Sequence, residues 1–243
     1  MAAAFGMPDD FLVTSKFGRH IGIDLGNTED IWTVGGTRAW LTGAQSLEIL
    51  GGAQDSAAGS GARKVLVSGL NDIWDFATVE MTMDGANPVA IPGLWQRINR
   101  MFVSESGTYT GNNAGIVICR ISGNGAIQSN ILAGVGQTEQ THYSIARNHT
   151  GVLSAVYIST DATKSVDASL YQNSGIDDQT GPPFTGAKRK IWGITGLKGA
   201  GGEDHVTHGL LIGPCDIWWR ATSPANGTEV EAGFDCLVRN LLA

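Results

Sequence analysis

No stretch of this chain carries an amphipathic helical stripe longer than about three turns, whereas short runs of alternating or β-branched residues recur between glycine-rich turns. Such a chain buries its apolar side chains by stacking sheets, because each strand offers one apolar face that must be set against another layer. The 34 glycines among 243 residues sharpen this reading. They follow no fixed period, which excludes a collagen-like helix. They fall instead between runs rich in Val, Ile, Thr and Trp, as turns between short strands do.

Strands are expected over 46–50, 63–70, 74–83 and 94–103, the last read as a strand rather than a short helix for want of a helical stripe. Further strands are expected over 115–122, 126–133, 141–146, 152–160, 163–172, 189–195, 206–212, 216–221 and 228–238. Asp84-Gly85 and Gly123-Asn124-Gly125 carry hairpin chemistry. Residues 174–188, with Pro182-Pro183, read as a long loop. The fold class expected is all-β: an antiparallel β-sandwich, a jelly roll being one common arrangement of it, with an extended N-terminal arm.

Residues 1–45 differ from the rest. Their aromatics follow neither a strand nor a helix period, and glycines recur at 18, 22, 26, 35 and 36. Two readings are open, an arm that lies across another surface and an irregular strand packed on its own domain. The first gives a division into an arm (1–45) and one sandwich domain (46–243), with a split near residue 112 as the alternative. It also makes Phe5, Phe11, Phe17 and Trp32 the candidate partner contacts. Asp-Ile-Trp occurs at 30–32, 72–74 and 216–218, each read as a strand start with a core tryptophan or, alternatively, an exposed aromatic anchor.

Charge excludes several classes of function. The formal net charge is −7 and the one basic cluster is Lys188-Arg189-Lys190, so neither nucleic acid nor an acidic membrane surface is an expected partner. No apolar run is long enough to span a membrane as a helix, and Met1 to Pro8 lacks the layout of a secretory signal, so a soluble chain made in the cytoplasm is expected. Cys119, Cys215 and Cys236 form no CxxC pair and read as reduced thiols in strands, with a Cys215–Cys236 bridge left open.

No catalytic residues, cofactor or metal ligands are assigned. There is no Gly-x-Ser-x-Gly elbow. The segment 181–189 resembles a P-loop only in outline, since Ala187 stands where its lysine belongs and two prolines remove N–H donors. Glu203-Asp204-His205-Val206-Thr207-His208 lacks the order of a zinc motif and reads as a surface loop. The acidic loops at Asp161-Ala-Thr163 and Gly175-Ile-Asp177-Asp178 match no EF-hand spacing. Trp95, Trp192 and Trp218-Trp219 would suit sugar stacking and suit a sheet core better.

Several segments in order carry a resemblance: Glu29 to Trp32, Leu47 to Leu50 with the following Ala/Gly/Ser loop to Arg63, Val65 to Leu70 with Trp74, Arg97 to Arg100, Ala114-Gly-Ile, Ile131 to Thr138, Pro183-Phe184 and Asp216 to Trp218. Together they resemble virion structural proteins of tailed marine phages and related metagenomic viruses. The resemblance implies a β-sandwich assembled on a virus particle in the host cytoplasm, with the major capsid protein or other virion proteins as partners and a homo-oligomer as the working form. A capsid decoration (cement) protein is the leading expectation. A tail or head–tail connector component and a carbohydrate-binding attachment module are the alternatives. The resemblance carries no catalytic pattern.

Overall fold

A computed structural model describes residues 11–178, 186–204 and 209–242, and every regular element among them is a β-strand. The chain forms two compact units, Met1–Thr37 with Gln140–Ala243, and Arg38–Glu139. The second unit is thus an insertion in the sequence of the first.

The first unit is an antiparallel sandwich. One sheet runs β1 (Phe11–Ile23), β16 (Thr228–Asn240), β10 (His149–Thr160) and β13 (Ala200–Asp204), with β14 (Leu211–Ile212) also paired to β10. The other runs β12 (Lys188–Leu197), β11 (Val166–Ser174), β15 (Cys215–Thr222) and β2 (Thr28–Asp30), with β9 (Tyr143–Ile145) also on β15. Their inner faces meet through large side chains. Phe234 lies edge-on to Tyr143, and the fully buried Trp219 donates from Nε1 to the Gly233 carbonyl of the opposite sheet at 3.1 Å.

The second unit is a single sheet in the order β5 (Phe76–Thr82), β4 (Ala62–Asn71), β6 (Val89–Ser106), β3 (Gln45–Leu50), β7 (Val117–Ile121) and β8 (Ile127–Ile131). It curls so that β8 comes back beside β6. Leu47, Ile49, Val65, Val67, Ile98 and Met101 fill the inside. The long β6 keeps pace with β4 only through repeated register shifts, and such bulges bend a sheet toward closure. At one of them Gly69 lies so close to β6 that a Cβ would stand 2.0 Å from the Arg97 carbonyl oxygen.

The all-β antiparallel sandwich is therefore the observed class, and the strand preferred over a helix at 94–103 lies inside β6. The division into an arm and one domain is corrected. Residues 11–23 are not an arm: they form β1, paired with β16 from Phe11↔Arg239 to His20↔Val230, while 38–45 belong to the second unit. Its inward positions are Lys16, Gly18, His20 and Ile23, all buried, so the inner face lacks the apolar alternation that marks a strand. Gly18 is required there because a Cβ would stand 2.6 Å from the Thr141 amide nitrogen. The boundaries near 37 and 139 replace both 45 and 112.

The loop between β3 and β4 owes its shape to one carboxylate. Asp55 is fully buried. Its Oδ2 accepts from the amides of Gly52 and Gly115, both at 2.8 Å, and its Oδ1 from Ala62 at 2.8 Å and Ala114 at 2.6 Å. Four N–H donors thus replace the water that the charge would otherwise hold, and two distant loops are fixed together. Asp55→Asn turns an NH₂ group toward two of those donors. We expect it to destabilise the second unit by about 3 kcal/mol, measured as a lower urea midpoint at unchanged m-value.

Candidate interaction face

The residues that could do chemistry are engaged in structure. Burial pushes the thiols of Cys119 and Cys236 up to about 12, and that of Cys215 higher still. All three are free, so Cys215 and Cys236 are not bridged. Asp161 accepts from the Thr163 amide at 2.8 Å and hydroxyl at 2.7 Å, which closes its own turn and lowers its pKa. Asp177 pairs with Arg147 at 3.2 Å. No group of three His, Cys, Asp or Glu that could hold a metal occurs among the described residues. Residues 205–208 and 181–185, which include parts of the rejected zinc and phosphate motifs, lie outside them.

Two histidine–carboxylate pairs bracket β2. His20 on β1 meets Glu29 at 2.7 Å, and Glu29 also accepts from the Gly36 amide at 2.8 Å. Burial raises the Glu29 pKa, but the Gly36 N–H and His20 outweigh it and leave the carboxyl below its ordinary value. The next residue, Asp30, faces the other way. It meets His142 at 3.2 Å and the Arg220 Nε at 3.0 Å, and both Asp30 and His142 are fully buried. An enclosed pair of this kind orders the end of β2 and offers a substrate no approach.

The surface with the form of a binding site is the outer face of the β1–β16–β10 sheet. Strand alternation sends the odd-numbered residues of β1 outward. Phe11, Val13, Phe17, Arg19 and Ile21 lie there, and Val13 and Ile21 are each 60% exposed. In register, Val13 stands beside Leu237 and Leu237 beside Val152, while Phe17 stands beside Gly233 and Gly233 beside Tyr157. Tyr157 lies across the glycine and donates from its hydroxyl to the Lys16 carbonyl at 3.0 Å. A Cβ at Gly233 would stand 2.3 Å from that same oxygen and from the tyrosine ring, so the sheet is flat there, and the row of Ser15 and Asp235 separates this aromatic group from the aliphatic one at Val13 and Leu237. Arg239 caps one end over the Phe11 ring, 5.4 Å from its centre, and Arg19 with Glu229 and Glu231 marks the other.

Of the four candidate contacts, Phe11 and Phe17 share this face. Trp32 is a correction. It is 3% exposed, its ring lies edge-on to His142, and its Nε1 donates to the Gly36 carbonyl, because it follows β2 into the core instead of pointing out. Phe5 lies outside the described residues. The other two tryptophans of the Asp-Ile-Trp echo, Trp74 and Trp218, are buried as well. Trp95 is buried with its Nε1 on the Pro92 carbonyl and presents no ring face for sugar stacking, while the half-buried Trp192 packs in a T-shaped contact with Trp219. Sequence reasoning missed Val13, Tyr157 and Leu237. Their signal is period-2 alternation on strands whose partners only the fold reveals.

Two measurements test this assignment of roles. A carboxyl with a lowered folded pKa stabilises the fold above its unfolded value, and that stability is lost as pH falls through the folded value. Glu29→Gln should therefore reduce stability at neutral pH and flatten its decline below about pH 4.3, followed by urea titration at stepped pH. A thiol reagent at pH 8 should label none of the three cysteines in the native chain and all of them in denaturant.

No protein-family model matches the sequence, and no curated protein matches it. Among solved structures, the chain is similar to that of infectious bursal virus derived T=1 particles, at 8% identity and a TM-score of 0.29, over 96% of this chain and 70% of that one. It is similar to the infectious bursal disease virus VP2 subviral particle at 9% identity and a TM-score of 0.25, over 96% and 74%. It is similar to the STIV MCP at 8% identity and a TM-score of 0.24, over 93% and 96%. Likenesses at this level establish neither kinship nor a shared function.

Proposed function

We propose that the chain is a structural component of a virus particle, and specifically a decoration protein that binds the major capsid shell and acts as an oligomer. The observation that carries this reading is the flat outer strip of β1, β16 and β10, with Phe11, Val13, Phe17 and Tyr157 turned outward. A sheet face normally covers such groups, and exposed aromatic and aliphatic side chains gathered on one face, here on either side of the Ser15–Asp235 row, mark a surface for another macromolecule. The interior agrees with a binding role. Asp30 and His142 are held as a buried pair, Asp55 by backbone amides, and burial raises the pKa of the thiols, an interior that favours rigidity. The resemblance of the sequence to virion structural proteins of tailed phages supports the same reading. A shell multiplies one modest contact over many equivalent positions, so no single interface need be strong.

A tail or head–tail component is the second reading, and copy number separates the two. Reconstruction of intact particles should place the chain at shell positions in roughly hundreds of copies, whereas about six or twelve copies at one vertex would favour the tail. Particles assembled without it should lose resistance to heat and osmotic shock. Unchanged resistance in particles that lack it would sink the decoration reading.

A further inference from the structure

We propose that β1 is an assembly edge, at which it pairs antiparallel with β1 of a second copy about a two-fold axis at Phe17. The inference deepens the proposed function by naming the partner at one margin of the same sheet, and it rests on the reading of the chain as an assembling protein.

The argument starts from how this fold treats its sheet edges. An open edge is a row of unsatisfied N–H and C=O groups, and proteins that stay monomeric shorten it, charge it or cover it. The other edge strands follow that rule. β2 has three residues. β8 has five, nearly all buried. β13 has five. β12 opens with Lys188-Arg189-Lys190, all exposed. β5 carries Glu80, tied to Lys64 and Ser104.

β1 departs from it. It is 13 residues long and ends its sheet, with no strand on its far side among the described residues. Two of its charge-bearing residues, Lys16 and His20, are turned inward and buried, which leaves Arg19 as the charged residue of the outer face. The chain has kept this edge long and nearly uncharged where it guarded the rest.

The side chains of β1 suit self-pairing in one register. With Phe17 opposite Phe17, the strand overlaps its copy on either side of the axis as far as the irregularity that follows His20, and up to that point residue i faces residue 34 − i. At that limit Val13 comes beside Ile21, so the two residues that are each 60% exposed cover one another, twice per dimer. Ser15 meets Arg19, Thr14 meets His20 and Lys16 meets Gly18, so no like charges stand opposite. Apolar cross-strand pairs of β-branched residues are among the favourable ones, and aromatic pairs at the axis add to them. The result is one continuous sheet across two copies, a closed assembly with the same patch used on both sides. It sets the Phe17–Tyr157 strips of the two copies on one broad surface, as docking to a repeating lattice requires.

Two variants of the full chain test the pairing. Sedimentation equilibrium should show a reversible dimer for the unaltered chain, and Val13→Lys with Ile21→Lys should abolish it at an unchanged thermal midpoint. Phe17→Cys should form a disulfide-linked dimer on mild oxidation, since the native thiols are buried and do not compete. A monomeric unaltered chain, a dimer that survives the double lysine variant, or a Phe17→Cys chain that fails to cross-link would each overturn the pairing. Incorporation into particles is a separate readout: a chain that dimerises yet never enters particles keeps the pairing and rejects the virion role.

Discussion

Trp219 holds the first unit together, because it bonds to three segments at once. Its indole is buried between the sheets and donates to the Gly233 carbonyl of β16. Its amide bonds to the Thr141 hydroxyl, which itself donates to the Ile31 carbonyl. Its own carbonyl accepts from the Ile31 amide at 3.0 Å. One residue thus fixes the spacing of the sheets, the end of β2 and the start of β9. The outward strip depends on that spacing, since the burial of Lys16, Gly18 and His20 is what turns Phe17 and Arg19 to the outer face.

Several buried charges in both units are held by more than one contact. Asp55 has four amides, and Asp30 has a histidine and an arginine. Arg97, 1% exposed, lies over both Trp40 and Trp74 and donates to the carbonyls of Leu41 and Gln96. Trp74 accepts a left-handed backbone (φ 69°) to stand beneath it, with the Asn71 side chain capping the turn at Ile73 and Asp75. Removing one partner from such a site exposes the full desolvation cost of the other. These groups therefore specify a unique arrangement more than they add net stability.

Much of the fold was legible from period-2 alternation and turn chemistry. The runs at 46–50, 63–70, 152–160, 216–221 and 228–238 coincide with β3, β4, β10, β15 and β16, because each sets apolar residues at every second position. β1 was not legible, since Lys16 and His20 occupy core positions and only their buried surroundings explain them. β2 is too short to carry a period, and β13 begins Ala-Gly-Gly. The division into units could not be read locally, because the first unit is assembled from two distant stretches of chain. Of the interaction face, Phe11 and Phe17 were visible only as aromatics of a segment read as an arm, without a period to orient them. Trp32 was misjudged because no sequence rule says which way a residue just past a strand end will turn. The Asp55 clasp left only a faint trace, a lone acid among glycines.

The two ends of the inserted unit leave the first unit side by side. Trp32 and Gln140 form an antiparallel bridge, and the Thr141 amide bonds to the Ile31 carbonyl. A chain that departs and returns through one doorway closes its loop on the host scaffold whatever lies beyond it. The roughly hundred residues between are thus a cassette: evolution or an engineer could exchange that lobe for another of similar end spacing and leave the sandwich intact.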